Sequence, residues 1–243
     1  MAEKLYTIPV NDAFDADCEC PVCEMYQNIQ ENAIDFVMGT SYMEDDIRME
    51  TDKIGFCDKH IPLLYKRQNR LGLALMMLTH MNKTIKEMEG KMNQKIQAPS
   101  LFKKSKGGGG AVKEYADFLD NSCYVCTRME NMFKRYVITT LYLYERDDAF
   151  RTKFAASKGF CTRHYAMLYD LAPTELSSKH LSEFIETLNK VYMENFKRVR
   201  DDLEWFTDKF DYRNADAPWK NSRDALIRAI QKTNGVFVEE KKK

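Results

Sequence analysis

Apolar residues recur along this chain at intervals of three and four, the spacing that lines one face of an α-helix. Val22, Met25, Tyr26, Ile29, Ala33, Phe36 and Val37 form the first such run and predict a helix from the Cys20-Pro-Val-Cys23 segment to near Gly39. Ser41 followed by Glu44 has the form of a capping box, predicting a short second helix through the acidic residues 42–50. After His60, the run Ile61, Leu64, Tyr65, Leu71, Leu75, Leu78, Ile85 and Met88 predicts one long helix of about eight turns, with Pro62 tolerated in its first turn.

The second half follows the same course. Met129, Met132, Phe133, Tyr136, Val137, Thr140 and Leu141 predict a helix, Phe150 and Phe154 a short one, and a third starts near Thr162. Ala172-Pro173-Thr174 is expected to break it. A long helix is then expected over 178–210 and a last one over 221–232, stopped by Asn234-Gly235. No segment alternates as a strand does, so the fold class is all-α.

These halves share more than period. Cys20-Pro-Val-Cys23 returns as Cys123-Tyr-Val-Cys126, 103 positions on, and Gly55-Phe-Cys57-Asp-Lys-His60 returns as Gly159-Phe-Cys161-Thr-Arg-His164, 104 positions on. Each copy reads CxxC and then GFCxxH, with Cys57 34 positions after Cys23 and Cys161 35 positions after Cys126. Six of the seven cysteines and two of the four histidines fall in the pattern; Cys18, His80 and His180 do not and are read as a spare thiol and two helix histidines.

Three thiolates and one imidazole complete the closed Cys3His tetrahedron of structural zinc, so Cys20, Cys23, Cys57 and His60 are predicted to hold one Zn2+ and Cys123, Cys126, Cys161 and His164 a second. In each copy the metal would clip the first helix to the start of the third. Lys59 and Arg163, inside the CxxH motifs, add positive charge that favours thiolate. An iron–sulfur cluster, a redox dithiol and a catalytic zinc are the rival chemistries; each fits less well, for want of a fourth cysteine, a βαβ context and an open coordination position respectively. The expected architecture is two pseudo-symmetric repeats, each clipped by its own metal, whose long helices pack together as a bundle.

Composition narrows the class. With 37 basic and 37 acidic side chains there is no net charge to coat nucleic acid or an anionic membrane. An odd number of cysteines argues against a paired disulfide framework, and a start without an apolar run argues against a signal peptide, so a reducing cytoplasmic setting is expected. The longest apolar stretch, 71–78, is under half the length a membrane span needs. Residues 93–112 hold Lys95, Lys103, Lys104, Lys106 and four consecutive glycines, read as a flexible basic linker between a first metal-binding repeat (1–92) and a second repeat with the C-terminal helices (113–243).

The opening YTIPVNDAF, then CECPVC, GTSYMEDDIR, GFCDKH and NRLGLALMMLTHM, together resemble an uncharacterised bacterial family, domain of unknown function 6062, over essentially the whole chain. The resemblance implies a soluble bacterial protein with two CxxC/GFCxxH units and implies no activity or substrate.

The leading functional expectation is a non-enzymatic, zinc-stabilised helical module that binds another protein or a small ligand. A competing one is an enzyme whose cleft joins Glu44 or Asp46 as base to His80 as acid. Gly72, inside a strong helical run, suggests close helix packing or ligand approach. A third, nucleic-acid binding through the basic linker, is disfavoured by the neutral charge.

Overall fold

The computed structural model describes residues 6–93 and 110–238. They form α1 (Thr7–Asp15), α2 (Pro21–Met38), α3 (Asp45–Ile54), α4 (Ile61–Lys66), α5 (Arg70–Met92), α6 (Ala111–Asp120), α7 (Tyr124–Arg146), α8 (Asp148–Ala156), α9 (Thr162–Glu175), α10 (Ser178–Asp208) and α11 (Ala225–Asn234), joined by turns. No strand occurs among the described residues, in line with the all-α period. The linker reading for 94–109 and the lysine tail 241–243 lie outside the described residues.

The chain divides into two compact units that are not its sequence halves: Met1–Asn28 with Met132–Lys243, and Ile29–Asn131. The division differs from the one drawn from sequence at 93–112, and its boundaries fall inside α2 and α7. In the first unit an aromatic cluster makes the core. Phe14 of α1 lies 4.9 Å from Phe150 and 5.7 Å from Phe154 between ring centroids, and Tyr144 and Phe184 meet at 4.8 Å. Such pairs add roughly 0.5–1.5 kcal/mol each beyond the area they bury. Within this unit α10 packs on α8, α9 and α11. In the second unit α5 packs on α3, α4 and α6, over a core that includes Val37, Leu64, Leu73 and Met76.

Several expected boundaries move, for local reasons. The capping box at Ser41 does not form: residues Ser41–Met43 make a 3-10 turn, and α3 starts after Glu44 without a side-chain cap. The single helix expected after His60 is two, because the chain extends at Arg67 and restarts at Asn69, whose side chain accepts from the Gly72 N–H at 2.9 Å and donates to the Met38 carbonyl at 2.9 Å. A Cβ on Gly72 would sit 2.6 Å from the Asn69 amide, so the glycine makes room for this cap rather than for a ligand. Pro173 does not end α9, which runs on to Glu175: in the last turn the proline removes few helix hydrogen bonds. The helices α1 and α6 were not anticipated; both are short, which leaves too few repeats for the period to register.

Candidate metal centres

Four turns bring the motif residues to helix starts. Cys20 directly precedes α2, and its carbonyl accepts from the Glu24 N–H at 3.1 Å. Cys161 is the N-cap of α9, His60 the N-cap of α4, and Cys123 directly precedes α7. Unpaired N–H groups and the positive end of each helix dipole therefore surround the sulfurs and favour thiolate. The Cys23 N–H points at the Cys20 sulfur, 3.4 Å away.

All eight side chains converge in two groups of four, but the partners are crossed. Cys20 and Cys23 meet Cys161 and His164, and Cys57 and His60 meet Cys123 and Cys126, the donor atoms of each group lying within 4.8 Å of one another. The expected clip within each repeat is thus corrected: each CxxC takes its CxxH from the other half of the sequence. Each group lies wholly inside one compact unit.

In the first centre His164 Nδ1 lies 3.5, 3.3 and 3.3 Å from the sulfurs of Cys20, Cys23 and Cys161, and the Cys23 and Cys161 sulfurs are 3.6 Å apart. In the second, His60 Nδ1 lies 3.3, 3.5 and 3.3 Å from Cys57, Cys123 and Cys126, with the Cys57 and Cys126 sulfurs 3.8 Å apart. One imidazole nitrogen cannot hydrogen-bond three thiols at once. Tetrahedral bonds of about 2.3 Å to sulfur and about 2.0–2.1 Å to nitrogen imply edges of roughly 3.8 and 3.5 Å, and both groups match those edges.

Within each group the sulfurs stand close to one another. Burial pushes Cys20 up to about 12, and hydrogen bonds from Cys20 and Cys23 hold Cys161 far below the usual thiol range. Burial also pushes Cys126 up to about 12, while at Cys57 it is outweighed by the His60 N–H and by other N–H and thiol donors. Burial, then the Lys59 charge, lowers the His60 pKa, the direction that favours the neutral ring a metal ligand needs.

The crossing has visible causes. The Tyr124 N–H donates to the Gly55 carbonyl at 3.0 Å and Ser122 Oγ to the Ile54 carbonyl at 2.9 Å, fastening the GFC turn to the distant CxxC. At the corresponding place in the first centre, Glu19 stands where the copy has Ser122, and the missing hydroxyl is replaced by Lys232. Its buried ammonium donates to the Glu19 carbonyl at 2.6 Å and to the Lys158 carbonyl, and pairs with the Glu19 carboxylate at 3.1 Å. Burial lowers the Lys232 pKa and the Glu19 charge opposes it. Arg198 also pairs with Glu19, at 2.6 Å.

The glycines of the GFCxxH motifs are explained by their backbone. Gly55 has φ +60 and Gly159 φ +81, and a Cβ would lie 2.6 Å from the His80 ring in one case and 2.9 Å from the Val191 carbonyl in the other. His80 is held there by the Asp52 carbonyl, 2.8 Å from its Nδ1. Glu44, the N-cap of α3, lies eight residues before Asp52, roughly 12 Å along the helix, and Asp46 six residues, roughly 9 Å, so α3 places neither carboxylate beside the Asp52 carbonyl that holds His80. His180 instead lies 3.2 Å from Glu145. Cys18 stays outside the cluster, its thiol donating to the Ala13 carbonyl at 3.7 Å and pushed up to about 11 by burial.

The centres differ in cover. All four donor residues of the first are buried, whereas Cys57 is half-buried and Cys126 exposed in the second. The difference comes from α11. Its C-cap, Gly235, is left-handed at φ +65 and lies so close that a Cβ would be 3.3 Å from the Cys161 sulfur. Gly235 was legible only as a helix stop, and nothing local in the sequence marks Lys232.

No helix among the described residues is long and apolar enough to cross a membrane. No curated protein and no solved structure matches the chain. The sequence model of a family of unknown function, DUF6062, matches residues 1–240, and the chain belongs to that family.

Proposed function

We propose that this protein is a zinc-stabilised helical module with two structural sites, Cys20/Cys23/Cys161/His164 and Cys57/His60/Cys123/Cys126, and that it binds a protein or small-molecule partner rather than catalysing a reaction. The observation that carries the metal reading is the convergence of eight motif residues, up to 144 positions apart, into two tetrahedral donor sets. Thiolate and imidazole donors in a closed tetrahedron favour zinc over the harder divalent ions. With four protein ligands no position is left for an activated water, which favours a structural over a hydrolytic role. Free thiols held as ligands suit a reducing cytoplasm. Elemental analysis of protein purified without added metal is expected to give two zinc per chain. Substantially less metal in folded protein, or iron in place of zinc, would reject the assignment.

A further inference from the structure

The helix α5 is apolar on two opposite faces, and only one of them is covered. Gly72, Leu73 and Met76 are buried, and Thr79 and His80 are tied to α3 through Asp52. On the other side Leu71, Leu78, Ile85 and Met92, spaced seven residues apart, are each between 52% and 67% exposed, and Met81 is 56% exposed. A helix that buries one apolar stripe ordinarily carries polar residues on the opposite face. Here no polar residue interrupts the seven-residue positions from Leu71 to Met92, and Ala74, Met81 and Met88 occupy the positions three residues after each of the first three.

We propose that this stripe is the seam of a two-helix coiled coil formed with α5 of a second copy of the chain. The argument for a like partner is geometric. A stripe repeating every seven residues drifts about 20° per heptad on a straight helix, and a helix with the same drift stays in register with it at a crossing near +20°. Leu, Leu, Ile and Met at one heptad position and Ala, Met and Met at the other supply knobs and room for them. A two-fold contact sets one patch against itself, and a stripe with no charge at its seven-residue positions meets its own copy without repulsion. Five such side chains expose on the order of 100 Å2 each, roughly 500 Å2 per copy and about 1,000 Å2 over a pair, the lower bound of a specific interface, to which flanking side-chain stems add. The opposite face, anchored on α3, holds the stripe in place before association.

Sedimentation equilibrium of the 243-residue, metal-loaded chain at about 100 μM is expected to give twice the 28.5 kDa chain mass. The double variant Leu78→Glu/Ile85→Glu is expected to raise the dimer dissociation constant at least about 100-fold, since each glutamate places charge in the seam. Because both side chains are more than half exposed, its helical circular dichroism and metal content should match the wild type. Lys86→Glu, beside the seam, should leave the dimer intact. A wild-type chain that is monomeric at this concentration, whether the stripe is then covered by residues 94–109, taken by a foreign protein or bare, overturns the proposal. So does a double variant that remains dimeric.

Discussion

The crossed ligand sets make a prediction that separates two topologies without a new structure. Cys20 and Cys161 belong to one centre, while Cys20 and Cys57 belong to different ones. Cys20→Ser/Cys161→Ser should therefore spoil one centre and retain one zinc, whereas Cys20→Ser/Cys57→Ser should spoil both. Ligation within each sequence half predicts the reverse. The energetic consequence can be estimated. Closing the centres joins Cys23 to Cys161 across 138 positions and Cys57 to Cys126 across 69, instead of 34 and 35 within the halves. Loop-closure entropy, which grows with the logarithm of length, makes the crossed closures only about 1.2 and about 0.6 kcal/mol more costly. Against that, a centre filled at a thousand times its dissociation constant contributes about 4 kcal/mol. The Cys20/Cys161 variant should thus lose about 4 kcal/mol in urea unfolding and the Cys20/Cys57 variant about 8 kcal/mol, a large part of the ~5–15 kcal/mol by which a domain is stable. Zinc content after gel filtration, read beside the unfolding midpoint, is the assay. One zinc in the Cys20/Cys57 variant together with none in the Cys20/Cys161 variant would refute the crossed arrangement.

Unequal cover predicts unequal lability: a chelator should remove one zinc at least about tenfold faster than the other, and alkylation followed by mass spectrometry should then label Cys126 and Cys57 before Cys20, Cys23 and Cys161. Equal rates would contradict the role given to α11. Gly159→Ala, left-handed and 2.9 Å from a backbone carbonyl, should cost about 3 kcal/mol or prevent folding, while Gly90→Ala, in open space within α5, should stabilise by roughly 0.5–1 kcal/mol; thermal melts distinguish them. At Glu145 burial raises the pKa, but the hydrogen bonds from Ser177 and His180 outweigh it and hold the carboxyl below its usual range. Its contribution is therefore present above the unfolded glutamate pKa and is lost as pH falls through the lower folded value. Glu145→Gln should destabilise by about 1 kcal/mol at pH 7 and by less near pH 3, as read by denaturant titration.

Much of this protein is legible without coordinates, because its determinants are local. The three-to-four period marks α2, α7 and α10 to within a few residues, Gly235 stops α11 as the Asn-Gly pair predicts, and the eight cysteines and histidines that gather in the two candidate groups are picked out by residue type and spacing alone. What local pattern misreads is competition between neighbours. Asn69 turns from a helix interior to a cap because it can reach both Gly72 and Met38, and Ser41 forfeits its cap because a 3-10 turn intervenes.

The grouping of the eight candidate donors was decided only by the tertiary structure. Two CxxC and two CxxH segments of nearly the same sequence can combine within or across the halves, and the entropy of the loops separates the alternatives by only about 1.8 kcal/mol. Contacts far apart in sequence make the choice: Tyr124 and Ser122 on the turn at Gly55, and Lys232 spanning Glu19 and Lys158. The chain thus marks its candidate donors one residue at a time through chemistry and helix starts, whereas which four come together depends on where packing brings those starts.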